Sequence, residues 1–490
     1  MNSASLLMPA LRHDATHGFA HLRDHIDDCL ELGVGGFLIY GGAAVEVGAL
    51  TADLRARSRV NLLLAADVER GAGQQFAGCL ALPPFGALGS IGDPDVMRRA
   101  ARITARELKA LGLNWAFAPV CDLDVPPFSP IVGTRAIGDN APAVATMVAE
   151  WIDACQAEGV LACAKHFPGH GRADGDSHVA LPRVIASAEQ LWSTDLAPFR
   201  SAIDAGVASM MTAHVAYPSL DPTNAPATLS HALLTEFARG VLQFDGLLVS
   251  DALEMDGVLA AGTETEVAIA AIRAGCDVLL SPMDVEGTAQ ALAAASITGA
   301  IDPERLRDAM QRRDRWAQWG HPHGGRDATL DDVAWARQQA DRAVHLVRGV
   351  LPLMGHAAEI VQVDDDAGGP WPVPSRDRFA GTLRALDVDA VRVDEPTAHT
   401  KVPMLVAVYA DVIAWKGADG VSAFAQAQVH RALAVAREQG RESCVVLFSH
   451  PRHAAELASA ANVLCAWGGE APMQEAAARV LARGLLRRVD

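Results

Sequence analysis

Through its first two-thirds this chain alternates short apolar runs with stretches of helical periodicity. The runs fall at Val34–Tyr40, Asn61–Val68, Asn114–Asp122, Leu161–Phe167, Val207–Ala213, Gly246–Asp251 and Cys276–Ser281. Each is too short for a helix and is bounded by Gly, Pro or polar residues. They are almost continuously apolar, which suits parallel strands buried on both faces. The helices between them carry their own punctuation. Asp93-Pro94 supplies a cap and then a proline at the first helical position. The periodic positions Met97, Ala101, Thr104, Leu108 and Leu111 follow, and the helix stops at Gly112. Asp302-Pro303 repeats the start signal. About seven or eight βα units predict a (β/α)8 TIM-like barrel. A doubly wound open sheet is the competing layout, because periodicity does not separate the two.

A chain of 490 residues exceeds one ordinary domain. His321-Pro322-His323-Gly324-Gly325 reads as a linker, placing a catalytic barrel at 1–325 and a second domain at 326–490. A helix over Asp331–Val347 opens the second domain. Strands are expected at Glu359–Val363, Val402–Val408, Cys444–Ser449 and Val463–Trp467, with helices at Ser422–Gln439 and Met473–Ala482. This pattern predicts a smaller α/β sandwich. Its expected roles are buttressing the barrel or making the contacts of a homodimer.

Composition excludes several functions. Hydrophobic residues make up 50% and charged residues 20%, which provides ample core. The net charge of −18 makes nucleic acid and anionic membranes poor partners. The 8 cysteines are scattered, with no C-x-x-C pair, as expected for free thiols in a reducing compartment. Met1–Asp14 lacks the basic and apolar regions of a signal peptide, and no run of apolar residues is long enough to span a bilayer. A cytoplasmic location is therefore expected. Lysine occurs only at 109, 165, 401 and 416, so a lysine inside a motif stands out.

In a barrel the chemistry gathers at the C-terminal ends of the strands. Five of the apolar runs end in ionisable groups: Asp67 with Glu69 beyond it, Cys121-Asp122, Lys165-His166, Thr212-Ala213-His214, and Ser250-Asp251. Buried charges are costly unless paired, so five together point to a polar site. The densest stretch is Lys165-His166-Phe167-Pro168-Gly169-His170-Gly171, followed by Asp174 and Asp176-Ser177-His178. Asp176 and His178 lie two apart, so in an extended segment both would face one way. Gly169, Gly171 and Gly175 suggest that the loop carrying them is mobile and closes over substrate.

That stretch closely resembles the signature of family 3 glycoside hydrolases, and its Asp-Ser-His triplet resembles the β-N-acetylhexosaminidase branch. Asn114–Asp122 and Val249-Ser250-Asp251-Ala252-Leu253-Glu254-Met255 agree with the same family. The likeness covers about residues 5–320, and the second domain resembles the family's sandwich only loosely. The resemblance implies a retaining hydrolase that removes terminal β-linked N-acetylglucosamine from glycosides or muropeptides. It assigns Asp251 as nucleophile, His178 as general acid/base and Asp176 as the partner of His178. It gives Asp67, Arg135, Lys165 and His166 to sugar hydroxyls. His214 is expected to line the pocket, and Asp122 to support Arg135 or Lys165. No cofactor and no metal is implied. Members without a signal peptide are similar to enzymes of cell-wall recycling. One departure stands out: Val68-Glu69-Arg70-Gly71 replaces the Gln-Glu-Gly-Gly that many members carry after the aspartate.

The residue chemistry agrees with this assignment. A carboxylate ending a buried strand can attack an anomeric carbon, and a histidine oriented by a carboxylate can give and take a proton near neutral pH. Other readings of the same residues are a glycoside phosphorylase, a β-glucosidase of the same family, a metal site built from His166, His170, Asp174, Asp176 and His178, and a non-catalytic sugar-binding barrel.

Overall fold

The computed structural model describes residues 2–320, 324–352, 356–366, 373–397, 400–413, 416 and 419–486. His321–His323, the first part of the expected linker, lie outside the described residues.

The first series of runs forms a closed barrel of parallel strands. In chain order these are β1 in two pieces, Leu7–Met8 and Ala10–Arg12, then β2 Gly36–Tyr40, β3 Leu63–Ala66, β4 Trp115–Ala116, β5 Cys163–Phe167, β6 Ser209–Thr212, β7 Leu247–Ala252 and β8 Val278–Leu280. The ring closes because the two pieces of β1 pair on opposite sides. Leu7 aligns with Leu279 of β8, and Ala10 aligns with Leu38 of β2. At the far side β4 meets β5 through single parallel bridges, Trp115 to Leu161 and Val120 to Lys165. An open doubly wound sheet is thereby excluded. The sequence pattern leaves β1 out, because Pro9 divides it into pieces too short to register as a strand.

The barrel is filled rather than hollow. Met8, Leu38, Leu63, Trp115, Phe117, Leu161, Met211, Val249 and Leu280 form one buried cluster. The indole N–H of Trp115 donates to Ser209 Oγ at 2.8 Å, so the largest side chain in the cluster leaves no unmet donor. Outside the ring, the helix Pro94–Ala110 starts on the Asp93 cap, whose carboxylate accepts the Asp95 N–H, and turns Val96, Met97, Ala100 and Leu108 inward. The helix Pro303–Trp319 begins in the same way on Asp302.

Contacts divide the chain into two compact units. One contains Met1–Ala81, Asp93–Val132 and Ala136–Asp332, and the other Leu82–Gly92, Gly133–Arg135 and Val333–Asp490. The second unit is built on a sheet of β9 His345–Arg348, β10 Ala357–Asp364, β11 Asp389–Val393, β12 Met404–Tyr409, β13 Ser443–Phe448 and β14 Val463–Cys465. Their spatial order is β9-β14-β13-β12-β10-β11, parallel except for β9. Two hydrophobic clusters draw on alternate residues of the same strands, with Val406, Val408 and Val445 in one and Leu405, Ala407 and Val446 in the other. This alternation is that of a sheet covered on both faces. The expected helix to Val347 ends instead at Ala343, and His345–Arg348 pairs as an antiparallel edge strand.

Candidate active site

The polar strand ends assemble into a connected network inside the barrel unit. Lys165, near the end of β5, is enclosed and donates to two carboxylates. Its Nζ lies 2.8 Å from Asp67 Oδ1 and 2.7 Å from Glu69 Oε1. Tyr40 ends β2 and sends its hydroxyl to Asp67 Oδ2 at 3.3 Å. The Arg12 guanidinium lies 4.4 Å above the Tyr40 ring centroid and forms an ion pair with Glu254. Burial, with Asp67 beside it, pushes the Tyr40 phenol well above its ordinary range, so it stays a donor.

The next residue, His166, goes to a different carboxylate. The register of β5 against β6 shifts between Lys165 and Phe167. His166 Nδ1 lies 2.7 Å from Asp122 Oδ2, and its backbone N–H donates to Asp122 Oδ1 at 3.1 Å. Burial would raise the Asp122 carboxyl, but its contacts with His166 and His170 hold it below the usual carboxylate range. An ionised Asp122 that accepts from Nδ1 orients the His166 ring through that nitrogen. Asp122, expected to support Arg135 or Lys165, is thus found holding His166. Lys165 takes Asp67 and Glu69, and Asp122 takes His166.

Asp251 ends β7, where the register against β8 shifts between Val249 and Ala252. Its Oδ1 accepts the Ala252 N–H at 2.8 Å. Burial would raise this carboxyl, yet the His166, His214 and His178 imidazoles and the Ala252 N–H bring it down to about 2. The group is an anion at any ordinary pH. Three imidazoles, from β5, the loop after it and the end of β6, thus act electrostatically on one carboxylate. His214 braces this arrangement. Its Nε2 lies 3.0 Å from the Ala252 carbonyl and its Nδ1 2.7 Å from Thr228 Oγ1. The carbonyl can only accept, so Nε2 carries the proton. Both nitrogens of this fully buried ring are thus engaged within the barrel unit.

His178 and Asp176 pair tightly. Asp176 Oδ1 accepts from His178 Nδ1 at 2.7 Å and from the His178 backbone N–H at 2.8 Å. The backbone here is a turn rather than the expected extended segment. The N–H groups of Val179 and Ala180 both return to the Asp176 carbonyl, at 3.0 and 3.2 Å. Asp176 is buried and His178 is partly open to solvent. Two of the loop glycines have a local steric reason. A Cβ on Gly171 would come 1.9 Å from the Leu123 carbonyl oxygen, and one on Gly169 would come 3.3 Å from Asp195 Cβ. Gly171 is thus required by a close backbone approach, and Gly169 by its φ of +130°.

Arg135 and Asp174 complete the predicted set. Arg135 falls in the turn Gly133–Arg135, which clusters with the second unit. Asp174 caps the Arg183 backbone N–H at 2.7 Å. Among the described residues, no three of His, Cys, Asp or Glu converge as a metal cage. The histidines and carboxylates that suggested one are each engaged in the pairs above. Tyr40 and Glu69 are the members that the sequence pattern underplays. Tyr40 is a sixth polar strand end, passed over because a phenol is not a charge.

Three comparisons with known proteins bear on this arrangement. Residues 30–315 match the family described as the glycosyl hydrolase family 3 N-terminal domain. A β-N-acetylglucosaminidase/β-glucosidase of Cellulomonas fimi is 33% identical over 378 residues, 73% of this chain and 67% of that protein. A β-hexosaminidase of Chromobacterium violaceum is 38% identical over 258 residues, 51% of this chain and 71% of that protein. Among solved structures, a glycoside hydrolase family 3 β-N-acetylglucosaminidase from Paenibacillus superposes with a TM-score of 0.86 at 27% identity, covering 99% of this chain and 96% of that one.

Proposed function

This chain belongs to glycosyl hydrolase family 3, and on that premise we propose that Asp251, His178 and Asp176 make it a retaining exo-acting β-N-acetylglucosaminidase. Terminal β-linked N-acetylglucosamine is the group it removes. The observation that carries the reading is the 2.7 Å bond between Asp176 Oδ1 and His178 Nδ1 on a loop beside an ionised Asp251. A carboxylate on Nδ1 assigns proton exchange to Nε2 and stabilises the imidazolium.

In the first step His178 Nε2 protonates the glycosidic oxygen while an Asp251 oxygen attacks the anomeric carbon from the opposite face. The leaving alcohol departs, and the sugar is held as an ester on Asp251. In the second step neutral His178 takes a proton from water, and the water oxygen displaces Asp251. We assign sugar hydroxyls to Lys165 and Asp67, which pair with each other, and to His166, which Asp122 holds.

The physiological substrates we assign are muropeptides and related wall fragments, handled in the cytoplasm. Support for that compartment comes from eight free cysteines, seven of them buried. No helix of the described residues is long and apolar enough to cross a membrane.

The test compares aryl β-glycosides of N-acetylglucosamine and glucose, and traps the intermediate with a fluorosugar. The expected result is a preference for the N-acetyl sugar and a label on Asp251. A preference for glucose, or a label elsewhere, would overturn the reading. The same assay run with phosphate separates hydrolysis from phosphorolysis, because a histidine does not repel the phosphate anion as a carboxylate would. Accumulation of a sugar 1-phosphate would favour the second.

A further inference from the structure

One enclosed histidine ties the acid/base loop to the rest of the network. The His170 backbone N–H donates to Asp122 Oδ1 at 2.6 Å, which is the carboxylate that orients His166. Its Nδ1 lies 3.2 Å from Ser129 Oγ, on the loop after β4. Its Nε2 lies 3.1 Å from Ser177 Oγ, and Ser177 stands between Asp176 and His178. Ser177 is held from its other side too, because its carbonyl accepts the Gly257 N–H at 3.0 Å. A Cβ at 257 would come 2.5 Å from that same carbonyl oxygen, so the approach depends on glycine. The Ser129 N–H donates to the Gly171 carbonyl at 3.1 Å, which interlocks the two loops.

Burial pushes the His170 imidazole down to about 4, so the ring is neutral at working pH. A neutral imidazole offers one donor and one acceptor. Ser129 and Ser177 are then ordered into a single donor–acceptor chain through the ring. His170 is 1% exposed and both of its nitrogens face hydroxyls, so it carries no proton to or from substrate.

We propose that His170 is a positioning residue for the reaction, which through Ser177 fixes where His178 presents Nε2 relative to Asp251. This rests on the reading of His178 as acid/base. Proton transfer needs a heavy-atom approach of about 2.6–3.2 Å, and a misplacement of about 1 Å costs up to about 100-fold. A side chain that sets the loop's position therefore acts on acid catalysis selectively.

The test uses leaving groups. A dinitrophenyl N-acetyl-β-glucosaminide departs without a proton, whereas the unsubstituted phenyl glycoside needs one. The variants are Ser177→Ala, which removes only a hydroxyl, together with His170→Leu and His170→Gln. Ser177→Ala and His170→Leu are expected to lose about 10–100-fold in kcat/KM on the phenyl glycoside and under about threefold on the dinitrophenyl one. On the dinitrophenyl substrate kcat and KM fall together as the glycosyl-enzyme accumulates. His170→Gln, whose carboxamide can still meet Ser177, recovers most of the loss. Equal losses on both substrates, or no loss on the phenyl glycoside, would overturn the proposal. Ser177→Ala decides the matter if His170→Leu does not fold. His178→Ala in the same series separates the two layers. If it shows leaving-group selectivity and the others do not, the positioning role fails alone. If it shows none, the acid/base assignment fails and takes the positioning role with it.

Discussion

Asp251 occupies a place where burial alone would keep a carboxyl protonated, and neighbouring imidazoles with the Ala252 N–H reverse that outcome, to about 2. The folded value lies below the unfolded one. Its contribution to stability is therefore present above about pH 4 and is lost as pH falls toward about 2. For the proposed mechanism this means that Asp251, the nucleophile assigned there, does not titrate in the working range. Inactivation by a dinitrophenyl fluoroglycoside, which needs the nucleophile but no acid, is expected to proceed at one rate from about pH 4 to 8. A tenfold fall toward the acid side would show that the environment of Asp251 is not the one described. Glu107 shows the opposite sign. It is buried on the helix Pro94–Ala110, and its Oε1 accepts the Leu80 N–H at 3.0 Å. Burial pushes its carboxyl up to about 7 despite that bond and one from the Ala328 backbone. A raised folded value means stability that is full below about pH 4.5 and is lost as pH rises through 7, by on the order of 2–3 kcal/mol. The urea midpoint is expected to fall between pH 5 and 8, and Glu107→Gln to flatten that fall. An unchanged slope in the variant would remove Glu107 as its cause.

At the scale of elements, the two ends of the barrel strands divide the work. The C-terminal ends carry the polar network, whereas the other end is stitched by Asp277, just before β8. Asp277 is fully buried, accepts the Leu248 N–H of β7 at 3.0 Å, and pairs with Arg239 at 2.6 Å and with Arg305. Asp277→Asn leaves two guanidinium groups against a neutral amide, and is expected to cost about 3–5 kcal/mol. Chemical denaturation measures this, with kcat at low temperature close to the parent's. A loss of activity without a loss of stability would place Asp277 in the wrong class. The same elements show what was legible in the sequence. Buried parallel strands announce themselves as apolar runs, so seven of the eight barrel strands can be read from the chain. The eighth, β1, is hidden by Pro9. In the second unit, the strands that escape notice are β9 and β11, the two edges of the sheet. Their residues are largely exposed, so they leave no apolar run. In the site, residue types were legible and partnerships were not. Asp176 and His178 are visible as a motif, but their bond depends on a turn. The choice of Lys165 for Glu69, and of His166 for Asp122, depends on a register shift within β5 that leaves no mark in composition.

At the scale of the whole molecule the acidic balance acts on the substrate before contact. The chain carries 59 Asp and Glu against 41 Lys and Arg, a net charge of −18. The network within the barrel unit does not reverse that sign. Asp67, Glu69, Asp122, Asp176 and Asp251 bring five carboxylates to it, and His170 is neutral. An aglycone that bears carboxylates therefore approaches against a negative field over tens of ångströms at low salt, and over about 8 Å at physiological ionic strength. A neutral aryl glycoside meets no such field. For a disaccharide whose aglycone carries a lactyl carboxylate, kcat/KM is expected to rise by about 2–10-fold between 0.01 and 0.15 M salt. For the neutral aryl N-acetylglucosaminide it should stay within the scatter of the assay. The gain should appear in KM rather than kcat, because screening changes the encounter and leaves the bond-breaking step alone. A fall with salt for the anionic substrate would mean that a basic surface captures the carboxylate, and mutation of exposed arginines would then be the way to find it. The wall-derived substrate proposed above would reach a chain this acidic most readily where salt screens the repulsion between them.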